Sequence, residues 1–226
     1  MIALQDRHVL ITGTGDCIGH LRVDLRDAAA AAAAILRLAE TAGVPDIPVN
    51  NAGWRRGQTL ASVDQAVWRD ELAIILDGAF YLTRPVVAGM AEQGSGAVVF
   101  VSSVNALAHF GKPAYAAAKA GMIAYARAIA VEYAARGIHA NAVCRGSVHT
   151  PAWARRTERD SGIIEIAARF YPLGRLVEGA EVANAVLFLA APLASGISGA
   201  VIPVDAGLTA GNVAFIYDVI EARRPV

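Results

Sequence analysis

Short unbroken apolar runs alternate along this chain with longer stretches whose apolar residues recur at helical spacing. Residues 8–12 form the first run and predict a strand leading into Thr12-Gly13-Thr14-Gly15, a turn that lets backbone approach a phosphate. Ile47-Pro48-Val49-Asn50 predicts a short strand ending at Asn51-Ala52-Gly53. Ala97-Val98-Val99-Phe100-Val101 reads as a strand buried on both faces, and residues 138–143 and 200–204 predict two more. Leu21-Arg22-Val23-Asp24-Leu25 reads as the end of another strand. Between these runs, residues 28–42 predict an alanine-rich helix capped by Asp27 and stopped by Gly43 and Pro45. Residues 62 to about 92 follow a helical pattern, interrupted near Asp77-Gly78 and at Pro85. Pro113 opens a helix over residues 114–136 that Gly137 stops, and Glu181 opens another over residues 180–191. Strand–helix alternation of this kind predicts an α/β fold: a doubly wound parallel sheet in a single domain, residues 1–226. Such sheets bind ligands at the C-terminal ends of their strands.

Composition narrows the function classes. A chain of 226 residues, 55% hydrophobic and 18% charged, is long enough to bury a sizeable core. Twenty basic and twenty acidic residues give no net charge, which speaks against a nucleic-acid or membrane-surface partner. No apolar run reaches the roughly 18 residues that span a bilayer, and the N-terminal stretch lacks a signal-peptide core. Cys17 and Cys144 have no metal-type spacing and imply no disulfide framework. The expectation is a cytoplasmic protein without a metal.

Candidate chemistry concentrates in residues 102–121, "SSVNALAHFGKPAYAAAKAG". Tyr115 and Lys119 are four apart on a predicted helix, so they share one face, one turn apart. An ammonium near a phenol favours the phenolate, which suits a general acid or base. Ser103 follows the buried strand, where a hydroxyl can bond a substrate oxygen as charge develops on it. A Tyr-x-x-x-Lys pair alone recurs by chance on many helices. Here the Thr-Gly turn, the Asn-Asn-Ala-Gly turn and Ser103 fall where such a site needs them.

With these motifs in place the chain resembles a classical short-chain dehydrogenase/reductase, from about Ile2 to Leu208. The resemblance is carried by "VLITGTG", "VDLRD", "VNNAG", "SSV" with "YAAAKAG", "IHANAV" and "SGAVIPVDAGLTA". It implies a Rossmann-like fold and hydride transfer between NAD or NADP and a secondary alcohol/ketone pair. Tyr115 would be the acid/base, Lys119 would bond the nicotinamide ribose, and Ser103 would orient the substrate oxygen. Gly13 and Gly15 would meet the cofactor's phosphates, and Asp24 and Leu25 its adenine. Asn51, Ala52 and Gly53 would line the cofactor, and Gly146, Val148 and Thr150 would cradle its nicotinamide end. The alternative is a non-catalytic or cofactor-impaired member that binds or assembles.

The family's glycine turn reads Thr-Gly-x-x-x-Gly-x-Gly, and this chain departs from it. One register covers residues 12–19 with Cys17 at the middle glycine. The favoured register starts the turn at residues 12–15 and skips directly to the strand ending at Asp24, so part of the first crossover (helix-strand-helix) is absent. Because a βαβ unit needs roughly 30 residues, a longer cofactor-binding segment is expected between Gly15 and Leu21. Ile75 stands where family members usually carry an asparagine, and Arg145 replaces the usual proline before Gly146. Arg145 reads either as a solvent-facing loop residue or as a contact to a cofactor phosphate or acidic substrate. His109 reads as a pocket wall at most. Residues 151–179 form the variable substrate lid and suit a medium-sized, partly apolar hydroxy or oxo compound, with a 3-oxoacyl thioester as one option. Ala73, Ile74, Ile75, Ala79, Ala120, Ala124, Ala128 and Ala135 leave two helices apolar on more than one face. With the family's habit of pairing these helices and of building a second contact from the C-terminal strand, residues 200–204, they predict a homotetramer with dihedral symmetry, with a dimer through the helices alone as the alternative.

Overall fold

The computed structural model describes residues 4, 6–13 and 21–221. Gly15, Cys17 and Gly19, on which the two registers turn, lie outside the described residues. Five parallel strands form one sheet: β1 (Val9–Ile11), β2 (Ile47–Asn50), β3 (Gly96–Ser103), β4 (Ile138–Arg145) and β5 (Val201–Val204). They lie side by side in chain order, so β1 is an outermost strand.

Helix α1 (Ala28–Ala42) begins where the Asp27 carboxylate accepts the Ala30 N–H at 2.9 Å and ends at Gly43 with φ of 83°. Helices α2 (Gln65–Leu72) and α3 (Gly78–Gln93) are joined by a π-type turn, Ala73–Asp77. The expected interruption near Asp77-Gly78 is therefore an insertion into a continuous helical run, which also continues through Pro85. That run, Gln65–Gln93, could cross a bilayer by length and composition alone, yet Leu82, Val86 and Met90 are buried in the core of this fold. Helix α4 (Pro113–Glu132) has proline in its first turn. Two short helices, α5 (Pro151–Thr157) and α6 (Ile163–Ala168), precede α7 (Gly179–Ala190).

Alternate residues of β3 serve two cores. Val98 and Phe100 join α1, α3 and α4, whereas Ala97, Val99 and Val101 join α7. With strands in chain order, helices on opposite faces require the last crossover to have the opposite hand to the first three. Such reversals are rare in parallel sheets.

One expected element does not form. Residues 21–24 have no regular structure and pair with no strand. The sequence runs from Gly13 to Leu21 through residues 14–20 alone, so the longer segment is not there. A parallel strand needs a crossover of a dozen or more residues, which this link cannot supply. Instead Leu25 lies against α3, where a Cβ on Gly78 would fall 2.7 Å from that of Leu25. Glycine at 78 makes the approach possible.

Candidate active site

Strand β3 ends at Ser103, which is 4% exposed and in register with Arg145 on β4. Its hydroxyl donates to Asn105 Oδ1 at 3.2 Å and accepts from the Asn105 N–H at 3.2 Å. Asn105 Nδ2 donates to Gly111 O at 2.7 Å, tying the serine turn to the segment entering α4. Asn105 thus fixes where the Ser103 hydroxyl points.

Tyr115 and Lys119 sit on the buried face of α4, 3% and 2% exposed. The helix places both against β3 because Ala114, Ala118 and Met122 on the same side pack without gaps for water. Lys119 Nζ donates to Val101 O at 2.7 Å and to Ala52 O at 3.4 Å, and lies 5.8 Å from the centre of the Tyr115 ring. Burial pulls the Lys119 pKa down to about 7; Arg145 pushes the same way and Cys144 opposes. The carbonyl of Lys119 accepts the Ser102 hydroxyl at 2.9 Å. Strand and helix are thereby cross-linked at the level of the candidate residues.

A second group lines the crevice beside β1. Thr12 Oγ1 accepts the N–H groups of Asn51 (3.1 Å) and Ala52 (2.9 Å), while Asn51 Nδ2 donates back to Thr12 O at 3.1 Å. Gly13 has φ of 71°, and a Cβ there would lie 2.7 Å from Ala52 Cα. No other residue fits that close approach without strain. Gly53 is exposed, and a Cβ built on it would stand 3.8 Å from Lys119 Nζ, so this glycine packs against the buried ammonium. Asp24 is exposed and clamped by the Arg26 guanidinium at 2.7 Å, which holds its pKa at about 2. Sequence spacing alone gave no sign of that pairing.

The third group follows β4. Gly146 packs against Asp205 and the Tyr171 ring. The Tyr171 hydroxyl accepts the Ser147 N–H at 3.0 Å, and Val148 bridges Val177. Thr150 is exposed, and its carbonyl accepts the Trp153 N–H at 2.8 Å at the start of α5. His109 is exposed.

These three groups meet at the C-terminal end of the sheet, and comparison with known proteins gives the arrangement a lineage. Residues 6–209 match the family described as Enoyl-(Acyl carrier protein) reductase, a short-chain dehydrogenase grouping. An uncharacterised oxidoreductase of Schizosaccharomyces pombe is 36% identical over 205 residues, covering 90% of this chain and 80% of that protein. A short-chain dehydrogenase/reductase from Burkholderia thailandensis superposes with a TM-score of 0.82 at 41% identity, covering 89% of this chain and 77% of that one. A gluconate 5-dehydrogenase from Burkholderia cenocepacia, solved with NADP and tartrate, superposes at 0.78 with 28% identity, covering 84% of this chain and 74% of that one. The chain belongs to the short-chain dehydrogenase/reductase family. It is an oxidoreductase of the NAD(P)-dependent kind acting on alcohol groups.

Three residues of this short-chain dehydrogenase/reductase escaped the sequence reading. Glu71 is fully buried, and its Oε1 accepts the N–H groups of Arg56 (2.6 Å) and Gly57 (3.0 Å), pinning the loop after β2 to α2. Its signal was present: Val67, Glu71 and Ile75 recur every four residues, so a carboxylate stands in an apolar stripe. Asn105 had only proximity to Ser103 in its favour. Lys112 precedes the helical proline and adopts φ of 58°, a conformation no sequence pattern announced.

Proposed function

We propose that this enzyme interconverts a secondary alcohol and a ketone with Tyr115 as the acid/base, Lys119 and Ser103 as its partners, and NAD or NADP as cofactor. The observation that carries the reading is Lys119: a buried ammonium bonded to Val101 O, beside the Tyr115 ring and next to the exposed Gly53. A nicotinamide cofactor would meet backbone rather than bulky side chains here, since Gly13 packs directly on Ala52 and Gly53 is exposed. When bound, the nicotinamide supplies or accepts the hydride. Ser103 turns its proton from Asn105 Oδ1 to the substrate oxygen, while the Asn105 N–H keeps the hydroxyl in place. Tyr115 takes the alcohol proton in oxidation and returns it in reduction. Lys119 holds positive charge beside the developing phenolate and bonds the ribose. Asn51, Gly146, Val148 and Thr150 line the cofactor, Asp24 and Leu25 stand at its adenine end, and residues 151–179 close over the substrate.

Replacing Tyr115 by Phe should cut kcat/KM by about 10²–10⁴ and leave the melting temperature unchanged. Wild-type turnover in Tyr115→Phe would overturn the assignment. Ile75 favours a second reading, a cofactor-impaired member: this buried apolar side chain has no polar atom for a proton relay. Native-state binding raises thermal stability, so the absence of a shift with both NADH and NADPH would favour that reading.

For assembly we propose a homotetramer with dihedral symmetry, built from one two-fold contact through α3 and α4 and a second through β5 and the segment after it. Ile75 and Ala79, expected to face a partner, belong instead to the protein's own core. Phe80, Ala120, Ala124 and Ala128 are exposed and support the contact. A monomer mass in sedimentation equilibrium would overturn it.

A further inference from the structure

Glu71 breaks the pattern of its own helix. Val67 and Ile75, four residues before and after it, are buried apolar residues, and Glu71 is fully buried between them. Its Oε1 holds two backbone N–H groups, whereas Oε2 is buried with no hydrogen-bond partner among the described residues. A carboxyl group in that position costs stability that an aliphatic side chain would not. Local rules broken at such a cost point to a functional constraint.

What the carboxyl group secures is the course of the loop after β2. Successive amides of that loop end on the side chains of Glu71 and Ser62. Arg56 and Gly57 donate to Glu71 Oε1 at 2.6 and 3.0 Å, and Gln58 and Thr59 donate to Ser62 Oγ at 3.0 Å. The loop so fixed meets the entrance of α4. Gln58 O accepts the Lys112 N–H at 2.8 Å, and a Cβ on Gly111 would stand 3.0 Å from the same oxygen. Lys112 has a left-handed backbone, φ of 58°, which is strained in a residue with a side chain and persists only where its surroundings hold it. From this turn two short routes reach the candidate site. Lys112 leads directly into α4, whose third residue is Tyr115. Gly111 O accepts Asn105 Nδ2 at 2.7 Å, and Asn105 grips the Ser103 hydroxyl through its N–H and its Oδ1, each at 3.2 Å.

We propose that Glu71 is a positioning residue for the reaction: by holding the loop at residues 56–58 against the turn at Gly111-Lys112, it sets Ser103 and Tyr115 relative to each other. This rests on the oxidoreductase reading above. The test compares wild type with Glu71→Leu, which suits the apolar stripe, and Glu71→Gln, whose amide oxygen can accept the same two N–H groups. Turnover is read as NADH- or NADPH-dependent reduction of ethyl acetoacetate. Glu71→Leu should lower kcat by about tenfold or more, because small misplacements far from the chemistry are costly. Its KM for the cofactor and its melting temperature should not suffer. Glu71→Gln should keep kcat within about threefold of wild type, since the hydrogen bonds survive. Wild-type kcat in Glu71→Leu, equal losses in both variants, or a loss accompanied by a lowered melting temperature would overturn the proposal. Amide hydrogen exchange supplies a readout that needs no turnover. In Glu71→Leu the Lys112 and Asn105 amides should lose protection along with those of Arg56 and Gly57, and in Glu71→Gln they should keep it. Loss confined to Arg56 and Gly57 would overturn the linkage. Loss that reaches Asn105 in a protein whose wild type reduces no ketone would leave the linkage standing and sink the oxidoreductase reading instead.

Discussion

Strand β3 runs eight residues between two neighbours, and seven of its positions are buried. Strand β1 runs three residues with a neighbour on one side in the described sheet, and none of its positions is buried. The candidate acid/base machinery hangs on the first of these, the proposed cofactor crevice on the second. Ser103, Tyr115 and Lys119 are placed by a complete sheet, two cores and cross-links such as Ser102 to Lys119 O. The crevice is instead held by one threonine, one asparagine and a close backbone approach at Gly13. The proposed chemistry lies in the rigid half, and the proposed cofactor binding in the thinner one. Such a division leaves local stability unevenly spread.

Hydrogen exchange should expose this contrast most strongly. Amides of β1 should exchange at least about a hundredfold faster than those of β3 and β4, because an edge strand opens without unfolding the core. NADH or NADPH should narrow the gap, and equal protection without cofactor would erase the comparison. A smaller effect follows from Gly13→Ala. Positive φ and the approach to Ala52 together predict a loss of roughly 1–3 kcal/mol, with weakened protection by cofactor. An unchanged melting temperature would show that the crevice relaxes freely.

The smallest effect lies in the rigid half and carries the opposite sign. Lys119 has a pKa of about 7 in the fold against 10.5 in the unfolded chain. Between those values the unfolded chain binds more protons, so stability rises with pH across the window. Below the lower value the penalty is complete. Lys119→Met should therefore stabilise the protein by roughly 1–2 kcal/mol at about pH 6, after allowing for the lost hydrogen bonds. The gain should shrink towards about pH 10, while turnover is lost. A variant less stable than wild type at low pH would mean that the ammonium is well accommodated.

Local signals made much of this legible. Asp27 and Gly43 bracket α1 as expected, since capping is decided within a few residues. Pro113 opens α4 for the same reason, but the α-helix ends at Glu132, four residues short of the expected end, and Gly137 closes a separate 3-10 turn, Ala134–Arg136. Ser103, Tyr115 and Lys119 stood out because their spacing is itself the local structure. The strand expected at residues 21–25 failed because a strand exists only with a partner, and the short link offers none. Glu71, Asn105 and Lys112 were invisible or nearly so, since their meaning lies in bonds to loops and turns that the fold creates. The clamp of Arg26 on Asp24 is local but depends on a bend at residues 25–26.

The chain-order sheet has a kinetic side. Every strand pairs with the one synthesised just before it, so no pairing waits for a distant segment to return. Sheets whose middle strand comes first must hold an open edge until the chain doubles back, which raises contact order and slows folding. Here growth is one-directional: each strand and its helix can dock as they emerge from the ribosome, with β1 as the template and β5 as the last addition.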